Sequence, residues 1–329
     1  MKGLLVERYG DPGVLGLADL SDPLPGVDEV AIDVAFAGVN YADIMARRGE
    51  HPAFVPPFVP GLEVSGHVHA VGERVDGLTV GQPVSALTLR GGYASVAIAL
   101  AALTYPLAEV TPEALRAGAA FPTIVPTAWA LVHDVARLSP GEDILVQAAA
   151  GGVGTVLAQV ARCAGARSIL GVVSNAEKAS YATQFGFDDI FVGPDWPQHV
   201  REVTSGRGVD VVFDSIGGSV RQSGFDVLAP LGRLVCFGNA CAEPEVGFSG
   251  DLLRGQVKST MGWSISGLAG KDPARVRAIA LRALSSFASG ELTVDITEVV
   301  PLQEAGRAHG LIESRASMGK LVLDLSSAE

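Results

Sequence analysis

Apolar and polar positions alternate in short runs over the first 122 residues, and glycine and proline separate the runs. In segments 29–35 and 66–71 every second position carries an apolar side chain, which is the period of a half-buried strand. Turn signals recur between the runs, at Pro60-Gly61, Asp76-Gly77 and Gly91-Gly92. The pattern predicts a β-rich domain over residues 1–122.

A different pattern holds from residue 123 to residue 265. Apolar runs rich in β-branched residues alternate with segments of helical periodicity. Strands that are apolar on both faces and separated by helices are typical of a parallel sheet covered on both sides. We therefore predict an α/β domain with strands at 144–146, 168–173, 209–213 and 233–237, and helices at 127–138, 155–164 and 177–185.

The remaining residues, 266–329, contain one clear helical pattern at 273–289 and strand patterns at 297–300 and 320–325. This segment is not needed to extend the parallel sheet. We expect it to return to the first domain.

The composition adds three exclusions. Apolar residues make up 48% of the 329 residues and the formal net charge is −12, so nucleic acid and anionic membranes are poor partners. Three cysteines make no disulfide framework, which favours a reducing, cytoplasmic compartment. We find neither a signal peptide nor an apolar run, free of charge and glycine, that is long enough to span a bilayer.

The strongest motif is the segment 146–154, Val-Gln-Ala-Ala-Ala-Gly-Gly-Val-Gly, between a predicted strand and a predicted helix. Gly151 and Gly152 allow the backbone to approach a pyrophosphate, and Gly154 allows the helix to pack on the strand. The N-terminus of the helix offers free N–H groups to the phosphates. The segment predicts a dinucleotide site; the alternative is a glycine-rich turn that binds nothing.

The end of the second strand of this domain indicates which nicotinamide cofactor is used. An NAD site places Asp or Glu there to bind the ribose 2′-hydroxyl, whereas this chain has Val173-Ser174-Asn175 followed by Lys178. A hydroxyl and a cation suit a 2′-phosphate. We therefore predict NADPH, while Lys178 could also be an ordinary solvated helix residue.

Motifs along nearly the whole chain resemble the quinone oxidoreductase branch (zeta-crystallin and VAT-1-like) of the medium-chain dehydrogenase/reductase superfamily. They are Gly38-Val39-Asn40-Tyr41-Ala42-Asp43, Pro60-Gly61-Leu62-Glu63-Val64-Ser65-Gly66, Val80-Gly81-Gln82-Pro83-Val84, Gly92-Tyr93-Ala94, Thr127-Ala128-Trp129, Asp214-Ser215-Ile216-Gly217-Gly218 and Gly319-Lys320-Leu321-Val322-Leu323. The resemblance implies a GroES-like β-rich catalytic domain, a Rossmann domain with a doubly wound parallel sheet, a cleft between them, and a homodimer paired through sheet edges.

The resemblance also implies roles for individual residues. Ala150, Gly151, Gly152 and Val153, beside Gly154, would hold the pyrophosphate, and Ser174 and Lys178 the 2′-phosphate. Lys320 would lie close to the cofactor. The nicotinamide and its ribose would be surrounded by Asn40, Thr127, Ser215, Phe237, Gly238 and Asn239.

Zinc ligands are missing where the zinc-dependent relatives carry them. Asn40 and Tyr41 occupy the Cys-His region, Leu62 replaces a histidine, and no cysteine precedes residue 163. Zinc sites of this kind need thiolate or imidazole ligands. We expect no metal; His67 and His69 share a strand face but two imidazoles alone make an incomplete site.

Without zinc, the chemistry expected is hydride transfer from NADPH to a small-molecule quinone or α,β-unsaturated carbonyl. Asn40 and Tyr41 are the candidate donors to the developing oxyanion, although Tyr41 could be a core aromatic and Asn40 a backbone cap. Met45 stands where many quinone oxidoreductases have tyrosine. Two other functions stay open: enoyl-thioester reduction in a biosynthetic pathway, and a redox-silent NADPH-binding protein.

Overall fold

A computed structural model describes residues 1–241 and 243–326, and in them the chain divides into two units. The first comprises Met1–Ile124, Ala269–Ala280 and the described residues from Val294 onward. The second comprises Val125–Leu268 and Leu281–Thr293. The C-terminal segment 266–329, expected to return to the first domain, is therefore shared, because residues 266–268 and 281–293 belong to the second unit.

The first unit is built on a seven-stranded sheet around one long central strand. The strand order is β14-β15-β3-β4-β5-β7, with β6 also paired to β3, and β1 and β2 form a separate ribbon. Alternate side chains of β3 and β4 enter an apolar core. The strands are β1 (Lys2–Val6), β2 (Leu15–Asp19), β3 (Glu29–Val39), β4 (Glu63–Val71), β5 (Pro83–Leu87), β6 (Val96–Leu100), β7 (Thr104–Pro106), β14 (Ile296–Pro301) and β15 (Lys320–Asp324).

Helices α1 (Tyr41–Arg48) and α10 (Ala305–Glu313) belong to the first unit, and α2 (Pro112–Ala130) and α9 (Pro273–Ala288) contribute residues to both units. The sequence interpretation of α2 was wrong: it begins at residue 112, not 127. Pro122 has no N–H for the Gly118 carbonyl, which normally ends a helix. Here the Ser85 hydroxyl donates to that carbonyl at 2.6 Å, and α2 continues through Pro122 and through Pro126, the residue before the predicted start.

One helix among the described residues, Pro112–Ala136, is long and apolar enough to cross a membrane by length and composition alone. It includes the six-residue π-helical continuation Leu131–Ala136. Of its most apolar window, 78% is buried inside the protein, so core packing accounts for its composition.

The second unit contains a six-stranded, entirely parallel sheet, which confirms the predicted α/β class. Its order is β10-β9-β8-β11-β12-β13, so the first, second and third strands run outward one way and the fourth, fifth and sixth the other. This is the doubly wound Rossmann order. The strands are β8 (Asp143–Gln147), β9 (Ser168–Val173), β10 (Asp189–Val192), β11 (Val209–Asp214), β12 (Leu228–Cys236) and β13 (Ser259–Gly262).

The connecting helices are α3 (Gly152–Cys163), α4 (Ala176–Ala182), α5 (Trp196–Val203), α6 (Gly218–Asp226), α7 (Gly250–Gln256) and α8 (Ile265–Ala269). β9 has the predicted bounds. β12 begins five residues before the predicted 233, because the strand has an irregularity at Leu231, whose φ is 67°, and this irregularity interrupts the apolar pattern. The outer strands β10 and β13 were missed, since each is only four residues long.

Candidate functional site

The strand order of the second unit reverses between β8 and β11, which are neighbours in the sheet. Ligands of doubly wound sheets bind at such a switch point, outside the carboxyl ends of the strands. The residues that follow β8 are 148–151, and those that follow β11 are 215–217. Both segments were predicted as cofactor-binding from sequence, and the topology brings them to the same edge of the sheet.

The turn after β8 is tightly packed. Ala148 has a φ of 52°, and the Gly151 N–H donates to its carbonyl at 2.9 Å. A Cβ on Gly154 would lie 2.5 Å from the Ala148 carbonyl oxygen, so only glycine allows α3 to approach the turn this closely. Gly154 therefore has the helix-packing role predicted for it.

The N-terminus of α3 suits an anion. Gly151 caps the helix and has no side chain to accept from the first-turn N–H groups, and the first turn carries no acidic residue. The N–H groups of Gly152 and Val153 have no intrahelical acceptor by position. These donors and the positive end of the helix dipole fit a cofactor pyrophosphate.

The three polar residues at the end of β9, Ser174, Asn175 and Lys178, differ in their surroundings. The Asn175 side chain accepts from the Lys178 N–H at 2.9 Å and so caps α4. Ser174 is exposed and Lys178 is half-buried. Neither Val173 nor Asn175 supplies a carboxylate here, although Glu177 stands in the first turn of α4.

The segments after β11 and β12 interlock. Phe237 N–H donates to the Asp214 carbonyl at 2.9 Å, and Ala240 N–H to the Ser215 carbonyl at 3.1 Å. A Cβ on Gly238 would lie 2.7 Å from that same Ser215 oxygen. The backbones therefore meet closely, which brings Ser215 together with Phe237, Gly238 and Asn239, as the sequence predicted. Thr127 is buried in this unit, and the Trp263 indole N–H lies 3.5 Å from its hydroxyl.

In the first unit, Asn40, Glu63 and Lys320 form a buried polar cluster. Lys320 Nζ donates to Asn40 Oδ1 at 2.8 Å and to Glu63 Oε1 at 2.5 Å, and Asn40 Nδ2 donates to the same Glu63 oxygen at 2.8 Å. Thr123 N–H donates to the other Glu63 oxygen at 2.8 Å. Asn40 is the N-cap of α1 and forms a capping box with Asp43. Its half-buried side chain therefore has a local capping contact as well as its contacts with the buried Glu63 and Lys320.

Beside this cluster, Asp43 is fully buried. Its carboxylate accepts from the N–H groups of Asn40 at 3.0 Å and Gly61 at 2.9 Å, and Tyr93 Oη lies 3.3 Å away. Burial raises the pKa of Asp43 to about 7. Tyr93 Oη also lies 3.3 Å from His309 Nε2, and burial lowers the pKa of His309 to about 3, with the Arg47 charge as a second cause.

Sequence reasoning missed the Asp43–Tyr93–His309 chain. Two of its members lie in segments that resemble the family, Asp43 in Gly38–Asp43 and Tyr93 in Gly92-Tyr93-Ala94, but neither segment indicated the contact. Tyr41 is half-buried at the start of α1 and Met45 is half-buried on the same helix. The two candidate donors, Asn40 and Tyr41, are adjacent on the chain, and Asn40 belongs to the charged cluster.

Among the residues that the structure describes, no group of three or more His, Cys, Asp or Glu side chains is arranged to hold a metal ion. His69 Nδ1 lies 3.0 Å from Asp33 Oδ1, and both side chains are more than half exposed. This pair on the first-unit sheet is an ordinary surface contact.

Two family models match the chain. Residues 26–108 match the alcohol dehydrogenase GroES-like domain, and residues 152–285 match the zinc-binding dehydrogenase model. A probable quinone oxidoreductase of Schizosaccharomyces pombe is 32% identical over 330 residues, covering 98% of this chain and 97% of that protein.

Two further similarities bear on the chemistry. A phenolphthiocerol/phthiocerol polyketide synthase subunit of Mycobacterium tuberculosis is 30% identical over 330 residues, which cover 98% of this chain but 15% of that much longer protein. The crystal structure of Escherichia coli quinone oxidoreductase complexed with NADPH superposes with a TM-score of 0.89 at 28% identity, covering 99% of this chain and 100% of the other.

Proposed function

Because the chain belongs to the medium-chain dehydrogenase/reductase family and is an oxidoreductase of that family, we propose that it reduces a quinone or an α,β-unsaturated carbonyl by hydride transfer from NADPH, without zinc. The observation that carries the proposal is the Ala148–Gly154 turn at the switch point of the parallel sheet. NADPH, when bound, supplies the hydride. The protein's residues bind and orient the reactants and stabilise the charge that develops on the acceptor oxygen.

The proposed cofactor contacts follow the geometry of the second unit. The first-turn N–H groups of α3 and the small side chains before them suit the pyrophosphate, and Ser174 and Lys178 offer a hydroxyl and a cation to the 2′-phosphate. The interlocked segments after β11 and β12 suit the nicotinamide riboside. The residues proposed in these three roles are Ala150, Gly151, Gly152, Val153 and Gly154; Ser174 and Lys178; and Thr127, Ser215, Phe237, Gly238 and Asn239.

The proposal of zinc-independent chemistry rests on the donor set around Asn40. The one carboxylate of this cluster, Glu63, is engaged by the Lys320 ammonium, Asn40 and the Thr123 N–H. An ammonium group beside the candidate ligands repels a divalent cation, and an amide is a poor zinc ligand. Lys320 supplies the positive charge here instead.

Asn40 and Tyr41 are the proposed donors to the acceptor oxygen. Asn40 is preorganised, because Glu63 accepts from its amide N–H and Lys320 donates to its amide oxygen. An ammonium has three N–H donors, and among the described residues two of those on Lys320 have protein acceptors. The third supports the proposal that Lys320 contacts a bound group.

A second candidate substrate is an enoyl thioester. It is favoured by the 30% identity over 98% of this chain to part of a polyketide synthase subunit. The same hydride transfer to a conjugated carbon would apply, and only the shape of the acceptor would differ.

The assembly and compartment are also proposals. β13 is the outer strand of the parallel sheet and has no strand partner on its far side among the described residues. Edge strands of this kind can pair with a second copy, which supports a homodimer. The reduced cysteines Cys163, Cys236 and Cys241 support a cytoplasmic location.

The proposal is tested by mixing the purified full chain with NADPH and an acceptor and following the absorbance of the nicotinamide band. The acceptors are ortho-quinones, simple enones and an enoyl thioester. We expect NADPH oxidation with a quinone or an enone. Turnover with the thioester alone would favour the second candidate, and NADPH binding without turnover on any acceptor would favour a redox-silent protein.

A further inference from the structure

Arg221 on α6 is almost completely buried, with 3% of its side chain exposed. Its Nε donates to Asp214 Oδ2 at 2.5 Å, and its Nη2 donates to the Gly238 carbonyl at 2.6 Å. Its Nη1 donates to Glu245, whose side chain is 61% exposed. One guanidinium therefore joins three separate segments of the second unit.

Asp214, the last residue of β11, fixes the first of these segments. Its Oδ1 accepts from the N–H groups of Ile216 at 2.9 Å and Gly217 at 3.1 Å. Its Oδ2 is taken by Arg221. A single buried carboxylate thus holds the 215–217 turn with one oxygen and the guanidinium with the other.

The second segment follows β12 and carries Gly238 and Asn239. The Gly238 carbonyl is held by Arg221, and Cys241 N–H donates to the Ile216 carbonyl at 2.8 Å. A Cβ on Gly217 would lie 1.8 Å from Asn239 Oδ1, so Asn239 packs directly over the first turn. A shift of either segment would displace the other.

A buried ion pair is a weak source of net stability, because removing both charges from water costs about as much as their attraction returns. The Arg221–Asp214 pair has instead a defined geometric consequence. It ties the turn that contains Ser215 to the segment that contains Gly238 and Asn239. A lysine could not do this, since a point charge on a flexible stem does not reproduce the planar fork of donors.

We propose that Arg221 is a positioning residue for hydride transfer: it holds Ser215 and Asn239 in the arrangement that binds the nicotinamide riboside half of NADPH, without touching the cofactor itself. The inference rests on the proposed function, which assigns Ser215 and Asn239 to that half. The adenosine half is assigned to residues on other segments, after β8 and β9. The two halves of the cofactor should therefore respond differently to a change at Arg221.

The test compares Arg221→Lys with wild type and with Arg254→Lys, a matched control whose side chain is 82% exposed. Calorimetry measures the Kd of NADPH and of 2′,5′-ADP, which contains only the adenosine half, and steady-state assays measure kcat and KM. We expect an unchanged Kd for 2′,5′-ADP, a raised Kd for NADPH, and a kcat lowered about 100-fold, the size of a roughly 1 Å misplacement of reacting groups. Arg254→Lys should match wild type.

Equal weakening of both ligands, or wild-type values for NADPH and kcat, would overturn the positioning role. If Arg221→Lys does not fold, Glu245→Gln replaces it. Glu245 accepts from Arg221 Nη1 and so helps to orient the guanidinium, and because its side chain is 61% exposed the variant should still fold. That variant should raise the Kd of NADPH and leave that of 2′,5′-ADP unchanged; unaltered values for both would contradict the inference. Wild-type protein that binds no 2′,5′-ADP would count against the proposed function instead.

Discussion

Lys320 Nζ lies 2.5 Å from Glu63 Oε1, and neither side chain is more than 3% exposed. The two residues are 257 positions apart on the chain and meet because β15 pairs antiparallel with β3, which pairs with β4, the strand that begins at Glu63. The pair leaves Asn40 with its amide oriented by both charges. Substitutions at Glu63 and at Asn40 therefore separate the stability that the ion pair gives from the role of the amide it orients.

Glu63→Gln should lower the free energy of unfolding by about 3–5 kcal/mol, because it leaves the Lys320 ammonium buried without its counter-charge. Urea unfolding of the variant and of wild type measures the difference. Glu73→Gln is the matched control, since Glu73 is exposed and the same change there should be nearly neutral. An unfolding midpoint equal to that of wild type would show that Lys320 does not depend on the charge of Glu63 for the stability of the fold.

Asn40→Ala should lower kcat by roughly 100-fold, the usual cost of losing one donor to a developing oxyanion. The variant should still fold, because Glu63 and Lys320 contact each other without Asn40, although losing the N-cap of α1 should cost about 1 kcal/mol. The kcat is measured at saturating NADPH with the best acceptor from the panel, and thermal unfolding is the check on folding. Tyr41→Phe is measured beside it and should also lower kcat. A wild-type rate in either variant removes that residue from catalysis.

Lys178→Glu should weaken the binding of NADPH about tenfold to 100-fold and leave the affinity for NADH nearly unchanged. The variant loses a charge-assisted contact with the 2′-phosphate, worth about 1.5–3 kcal/mol, and NADH has no such phosphate. Lys271→Glu makes the same change of charge at an exposed position and controls for the overall field. Equal losses for the two cofactors would contradict a 2′-phosphate role for Lys178.

His309→Gln should make the protein less sensitive to acid. The pKa of His309 is lowered to about 3 by burial, whereas an unfolded histidine titrates near 6.5. As the pH falls below about 6.5 the unfolded chain takes up a proton that the folded chain refuses, so stability is lost as the pH falls toward 3. The slope is at most about 1.4 kcal/mol per pH unit.

Asp43 has the opposite effect on the pH dependence of stability, because its pKa is raised to about 7. Its contribution to the free energy of unfolding is lost as the pH rises toward that value. Wild type therefore has a partly compensated profile, and the comparison of variant with wild type isolates His309. Between pH 6.5 and 5 the stability of His309→Gln relative to wild type should rise by about 1.6 kcal/mol in urea unfolding. If the difference in free energy of unfolding between His309→Gln and wild type does not vary with pH, the lowered pKa of His309 is refuted.

The parts of the fold that depend on local pattern were predictable. Segment 168–173 is a strand as predicted, and the strand, turn and helix around Ala148–Gly154 are each specified by neighbouring residues. The start of α2 was not, because Pro122 indicates a helix end unless a distant hydroxyl, that of Ser85, satisfies the carbonyl it leaves free.

The candidate site was predictable to a similar extent. Gly151 and Gly154 can be identified from their spacing, since glycines at a strand-to-helix turn allow a pyrophosphate to approach and the helix to pack on the strand. The contacts of Arg221 and of Lys320 with Glu63 join segments that only the folded sheets bring together, and no periodicity in the sequence marks them. Asp43 and Asp214 were visible within quoted motifs, but their hydrogen bonds were not.

The most direct test of the proposed NADPH site is isothermal titration calorimetry of the purified full chain with NADPH, with NADH measured in parallel. The turn at the β8–β11 switch point and the environment of Ser174 and Lys178 predict one NADPH bound per chain and a weaker affinity for NADH. A folded protein that takes up neither cofactor would contradict the account.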